Sequence, residues 1–397
     1  MLPRVKINFE NGALGSVAPS EDGVIGLIVT GYAVTDFFDL NKPYLLTSYA
    51  DLLKRGITSE ENDPNKLIDK CVREIYDEAP NGTKVWLMGV SNITSLTDMC
   101  DKEGVAKDLL IAARGAINIL VIKCEADDTI ATTYGIDTNL PTAIGKAQKL
   151  AEWATTDLFA PCSVLLEGRG YTGDASQLTP LSERDDNRVG VVIGDTQADS
   201  KGAAVGLLAG RLAAIPVQRS CARVKDGAIA SEKMYIAGVL AENGDPDIIH
   251  DAGYIVPRTF VGKAGYFWSD DKLATAVTDD YALIPRRRVI DKAYRIAYQT
   301  LIDELNDEIP VTSEGKIPLS ICKFIQDKVE SAIISTMGAD GNLGSDPSDA
   351  NDTGVVCYID PDQNIVATSK YEVSLKVRPF GYAKYIDVKL GFQTVNQ

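Results

Sequence analysis

The chain has 397 residues, enough for roughly two or three domains with a sizeable core, and its 45% hydrophobic and 24% charged content is that of ordinary globular proteins. A net charge of −16 excludes a general nucleic-acid binder and disfavours an anionic membrane surface as partner. Cys71, Cys100, Cys124, Cys162, Cys221, Cys322 and Cys357 are scattered without a C-x-x-C pair and read as reduced thiols of a cytosolic compartment, while a single histidine, His250, leaves little from which to build a triad or a metal site.

The opening MLPRVKINFENG has no apolar run of signal-peptide type, and no run anywhere reaches the ~18 residues of a membrane span, so neither a leader nor membrane insertion is expected. Val5, Ile7 and Phe9 alternate as one short strand ahead of a glycine-rich tether, Asn11–Gly23, which defines an extended N-terminal arm over residues 1–20. Val24–Val29 (VIGLIV) is an unbroken apolar run, the mark of a strand buried on both faces. Helical periodicity over 63–79, 102–114 and 141–155 then alternates with strand runs at Lys84–Met88, Ile117–Ile122 and Cys162–Leu166. A further strand, Arg188–Ile193, leads into a helix over 201–215 that is apolar almost all round and carries Gly202, Gly206 and Gly210 on one face, where another backbone can approach. Residues 21–230 therefore read as an α/β layer with a largely parallel sheet.

Residues 231–397 change character towards helix plus antiparallel β. His250 falls in NGDPDIIHDAGY, a turn and a short helix, as a surface or capping residue rather than a base. The most prominent segment is Asp279–Pro310, DDYALIPRRRVIDKAYRIAYQTLIDELNDEIP. Pro285 suits a first helical turn, and Ile290, Ala293, Tyr294, Ala297, Leu301 and Leu305 make one apolar stripe. Its charges oppose the helix dipole, with Arg286, Arg287 and Arg288 at the head and Asp303, Glu304, Asp307 and Glu308 at the tail. Two readings follow: the charges are solvated or paired within the chain, as Arg287 with Asp291 one turn on, or both ends meet another copy or another protein. A second helix runs from Pro318 to Met337 and stops at Gly338. After an acidic loop come strands at Val355–Ile359 and Ile365–Thr368. Then Tyr371, Val373, Leu375 and Val377 alternate, and after them Ile386, Val388, Leu390 and Phe392, which gives a β-rich C-terminal arm.

No catalytic, cofactor or metal site is expected. GDTQADSKG (Gly194–Gly202) sits where a phosphate loop would, but lacks the G-x-x-x-x-G-K-[ST] spacing. Asp340, Asn342 and Asp346 imitate a calcium loop, with Ser345 where glycine belongs and Asn351 where the bidentate glutamate belongs. Asp195, at a strand's C-terminal end, reads as a loop or capping residue; it is also the centre of the rival reading, an α/β hydrolase or nucleotide-dependent transferase with the loop Leu166–Asp174.

GLLAGRLAAIPVQRSCARVKDGAI (Gly206–Ile229) and Asp279–Val311 resemble the core blocks of contractile tail sheath proteins, most of all the compact group of bacteroidete phage-like elements and contractile injection systems. The arm Val5–Gly15 and the β-rich C-terminus are similar too. The resemblance implies a structural subunit that stacks as hexameric rings around an inner tube and contracts to drive it through a target envelope. Its partners would be further copies of itself, the inner tube protein, and baseplate and tail-terminator proteins. Assembly would take place in the bacterial cytoplasm, into a phage tail or injection particle. It also implies that both arms add strands to neighbouring subunits' sheets and that a helix of the C-terminal half faces the tube. A non-contractile filament or shell protein is the second alternative.

Overall fold

The computed structural model describes residues 22–127 and 129–390. The first half alternates strand and helix: β1 (Ile25–Gly31), β2 (Pro43–Leu46), α1 (Lys66–Glu78), β3 (Val85–Ser91), α2 (Val105–Ala112), β4 (Ile119–Lys123), α3 (Leu140–Thr156), β5 (Ser163–Glu167), β6 (Val189–Val192) and α4 (Val205–Ala214). The strands make one six-stranded sheet in the order β2-β3-β1-β4-β5-β6. All are parallel except β2, which runs antiparallel on β3. Every residue of β1, β4, β5 and β6 is buried. A parallel sheet covered on both faces has that pattern, and it is why VIGLIV shows no alternation. Strand β2, with Tyr44 and Leu46 buried and Leu45 exposed, is an edge strand that the periodicity did not single out. Helix α1 starts at Lys66 rather than at Asp63, because the Asp63 carboxylate accepts from the N–H groups of Thr58 and Asn65 and holds the preceding loop.

Helix α4 packs backbone to backbone on α1. A Cβ on Gly206 would stand 2.7 Å from the Cys71 carbonyl oxygen, and one on Gly210 would stand closer still to that of Ile75. Gly206 and Gly210 of the predicted glycine face thus make the contact, whereas Gly202 lies ahead of the helix, which begins at Val205, and stands beside Glu167. Arg211 completes the join with a two-armed pair to Glu78, Nε–Oε2 at 2.6 Å and Nη2–Oε1 at 3.1 Å, and donates to the carbonyls of Gly227 and Ala228.

The core of this layer runs on past residue 230, through Met234, Tyr254, Trp268 and Ala274 to Ile284. The stretch includes α5 (Pro246–Asp251). Then come α6 (Ile284–Leu301), α7 (Leu319–Ile333), β7 (Val355–Ile359), α8 (Ile365–Thr368) and β8 (Val373–Val377). Val289, Ala293 and Ile296 of α6 meet Ile325, Val329 and Ile333 of α7, and β7 and β8 cover α7 to close a second core.

Three expectations change here. The long helix ends at Leu301, where a 3-10 turn (Ile302–Glu304) and Asn306 at φ 62° take the chain away, so Leu305, Asp307 and Glu308 lie beyond it. Ile365–Thr368 is helical, because the Asn364 side chain accepts from the Ala367 N–H and caps a single turn; the partner of β7 is β8, in the register Val355↔Val377 to Ile359↔Val373. Ile386, Val388 and Leu390 pair with no strand among the described residues and are 79%, 78% and 96% exposed.

Candidate functional site

Helix α6 joins the two cores, and its polar side chains make the join. Arg287 is 3% exposed: its Nη2 donates to Asp291 Oδ1 at 2.9 Å, and its guanidinium lies 4.3 Å from the Tyr281 ring centre. Asp291 Oδ2 also accepts from Arg188 Nη1 at 2.9 Å, just ahead of β6. Burial pushes the Asp291 carboxyl up, and the two guanidiniums more than offset this and hold it low. Arg288 is 5% exposed and donates to the carbonyls of Asp22 and Ile215; burial pulls its guanidinium down to about 10. Arg295 is anchored on three carbonyls of the sheet layer, Gly115, Ile117 (2.8 Å) and Pro161 (2.6 Å). Tyr294 Oη donates to the Thr155 carbonyl at 2.7 Å.

These contacts correct the picture of a cationic head presented to a neighbour. Arg287 and Arg288 are consumed within the chain, which is how a run of arginines is tolerated against the dipole. Arg286 alone of the three is half-buried. At the other end Glu304 pairs with Lys328 of α7, whereas Asp303, Asp307 and Glu308 are exposed. Of the residues that matter most at this joint, the sequence reading singles out Arg288 but neither Lys292 nor Arg295. Arg288, Lys292 and Arg295 stand at i, i+4 and i+7 on one face of the helix, and that cationic stripe was the available signal.

The arms divide in the same way. Val5, Ile7 and Phe9 lie outside the described residues. Leu375 is buried in the second core, with Tyr371, Val373 and Val377 packed against it. The two edges of the β7–β8 hairpin are unlike. That of β7 is capped by α7, since the Cys357 N–H donates to Glu330 Oε1 at 2.7 Å and its carbonyl accepts from Gln326 Nε2 at 2.9 Å. The outer edge of β8 has no partner strand among the described residues.

The rival centre is a closed set of charges. Asp195 is 3% exposed; it pairs with Lys70 and accepts from the Thr196 N–H (2.6 Å) and from Ser200 Oγ (2.8 Å). Burial works against its charge, but Lys70 and Lys123 prevail and hold it down to about 2. Next to it Lys123 and Glu167 form a wholly buried pair at 2.5 Å, and Glu167 also accepts from the N–H groups of Cys124 and Ala203. Each group is satisfied by its neighbours, and a carboxylate held so low is not poised to exchange protons near neutrality. His250 lies apart, on α5 beside Asp270. All seven thiols are buried and unbridged. Among the described residues, no group of three or more His, Cys, Asp or Glu side chains converges to hold a metal. No helix there is long and apolar enough to cross a membrane.

A six-stranded α/β layer keyed by one helix to a helix-and-hairpin unit is the fold of contractile sheath proteins. The chain is similar to the anti-feeding prophage helical sheath in its contracted state, at 15% identity and a TM-score of 0.63 over 99% of this chain and 98% of that one. It is similar also to the contracted PVC sheath complex of an extracellular contractile injection system (14%, TM-score 0.57, 100% and 98%). A third likeness is to the sheath tail protein of Desulfitobacterium hafniense (11%, TM-score 0.52, 95% and 100%). By sequence the chain belongs to the DUF2586 family, whose N-terminal domain matches residues 2–272 and whose C-terminal domain matches residues 280–397. A sequence search of curated proteins finds no match.

Proposed function

We propose that the chain is the structural subunit of a contractile tail sheath and has no catalytic role. The observation that carries this reading is the extent of the likeness, which covers 99% of the chain and 98% of a sheath subunit. The C-terminal hairpin supports it. Two strands alone are marginal in water, and the open outer edge of β8 is a place where another strand can add. The strand at Val5, Ile7 and Phe9 of a neighbouring copy is the natural occupant, and the stretch through Ile386, Val388 and Leu390 extends the exchange. Of the helix-end charges, Arg286, Asp303, Asp307 and Glu308 remain to meet a neighbour or the tube. Copies joined in this way stack as hexameric rings around an inner tube, and contraction drives the tube through a target envelope. Baseplate and tail-terminator proteins close the two ends. Assembly takes place in the bacterial cytoplasm, and the finished particle is a phage tail or an injection system.

Negative-stain microscopy of the chain co-expressed with its tube tests this. Rings, tubes or cogwheels are expected from the whole chain, and a soluble, folded protein without long tubes is expected after deletion of residues 1–11. A monomer under all conditions would overturn the reading.

A further inference from the structure

Asp270 and Asp271 follow the short strand Phe267–Trp268 and are 5% and 1% exposed. Asp270 Oδ2 lies 3.2 Å from His250 Nε2, and Asp270 Oδ1 accepts from the Lys384 ammonium at 2.5 Å. The Ser220 hydroxyl favours the charged form of Asp271, and the same ammonium stands 3.6 Å from its Oδ1. Lys384 comes from outside the core, on the extended stretch 379–390 that follows β8. Little else pins that stretch: the Tyr382 hydroxyl donates to the Gln218 carbonyl at 2.6 Å, and at its root the Gly344 N–H donates to the Arg378 carbonyl at 2.9 Å. Two adjacent carboxylates at this depth cannot both stay ionised without a cation, and Lys384 is the one that stands against both.

We propose that Asp270 and Asp271 form a lysine socket that latches residues 379–390 onto their own chain, with Lys384 as the removable ligand and protons as its competitor. The latch is a property of the single chain and does not rest on the sheath reading. Burial and the charge of Asp270 push Asp271 up to about 6, and Lys384 opposes them. Asp270 is held low in spite of burial by His250 and Lys384. Withdrawing Lys384 therefore raises the proton affinity of the pair, so the undocked state binds more protons than the docked one. Docking is tightest above about pH 7 and weakens as the pH falls through about 6. The other charges around the socket are Asp251 and Lys272, which contact His250, Arg286, which acts on Tyr382, and Arg211, which acts on Cys221 beside the pair.

Limited chymotrypsin cleavage after Tyr382 and Tyr385 of the full chain, followed by mass spectrometry and normalised to a free peptide of residues 379–390, reads the latch. Cleavage of the native chain should be slow at pH 7.5 and about tenfold faster at pH 5.5. Lys384→Met should be cleaved fast at both, and Lys384→Arg should restore protection. The double variant Asp270→Asn with Asp271→Asn leaves no unpaired buried carboxylate, so it keeps the body folded by circular dichroism while releasing the segment. Protection that survives in the double variant, or native cleavage that is indifferent to pH, would overturn the proposal.

Discussion

Lys292 Nζ lies 2.6 Å from Asp22 Oδ2 across 270 residues of sequence, and it ties the residues just ahead of β1 to the middle of α6. The same ammonium donates to Asp340 Oδ2 at 2.9 Å and to Asn342 Oδ1 at 2.7 Å, in the loop that leads to β7. One buried cation thus holds together Asp22 ahead of β1, the joint helix and the approach to the C-terminal hairpin.

Replacing it should cost more than replacing any one of its partners. Lys292→Met strands three acceptors, two of them partly solvated, and should lower stability by about 3 kcal/mol; Asp22→Asn leaves two acceptors in place and should cost about 1 kcal/mol. Urea unfolding followed by tryptophan fluorescence checks the ratio, and equal losses would argue against a shared clamp.

The arginines at the head of α6 should separate just as cleanly. Arg287→Met removes one of the two guanidiniums that serve buried Asp291 and should cost about 3 kcal/mol, while Arg286→Met should change stability by less than about 0.5 kcal/mol. Thermal unfolding of the two variants compares them directly. Indistinguishable midpoints would mean that the Asp291 cluster contributes nothing.

At Gly210, helix propensity and packing pull in opposite directions. Alanine is better than glycine by about 1 kcal/mol in a helix interior, but here its Cβ would collide with the backbone oxygen of Ile75. The collision involves backbone and cannot be relieved by a rotamer change, so Gly210→Ala should destabilise by about 2 kcal/mol net. An increase in stability would show that α4 can slide off α1.

Glu74 carries a pH signature. It is 5% exposed between α1 and α4, and burial pushes its carboxyl up to about 7, which Lys70 and Lys123 only partly oppose. Below about pH 4.5 the residue is protonated in both the folded and the unfolded chain. As the pH rises to about 7 the unfolded chain ionises first, so the fold loses about 3 kcal/mol from this group. Glu74→Gln should remove that slope, so its stability relative to the native chain should grow between pH 4.5 and 7. Parallel denaturation curves at the two pH values would refute the assignment.

Much of the sheet layer was legible because its signals are local and redundant. An unbroken run such as VIGLIV has few outcomes other than a doubly covered strand, and Gly206 and Gly210 at helical spacing called for a near backbone. The α6 joint was harder. The spacing of Arg287 and Asp291 offered an internal pair, but the burial of Arg288 depends on Ile215 and Asp22, and nothing local reports contacts that distant. Ile365–Thr368 failed for the opposite reason: a β-branched pair outweighed one asparagine cap in the periodicity, and the cap prevailed in the fold. The Asp270–Lys384 contact links two segments 114 residues apart, and the adjacent acids in an apolar stretch, FWSDDKL, were its only local trace.

The three carbonyls on Arg295 have a mechanical consequence. They come from Gly115, Ile117 and Pro161, and a guanidinium has a rigid planar fork, so α6 has one register on the sheet layer. Sliding by a single turn, about 5.4 Å, would break all three bonds at once and leave a half-buried cation without these acceptors. Bonds loaded side by side share a shear force instead of failing one after another. A shear between α6 and the sheet layer therefore meets these three bonds together rather than in turn.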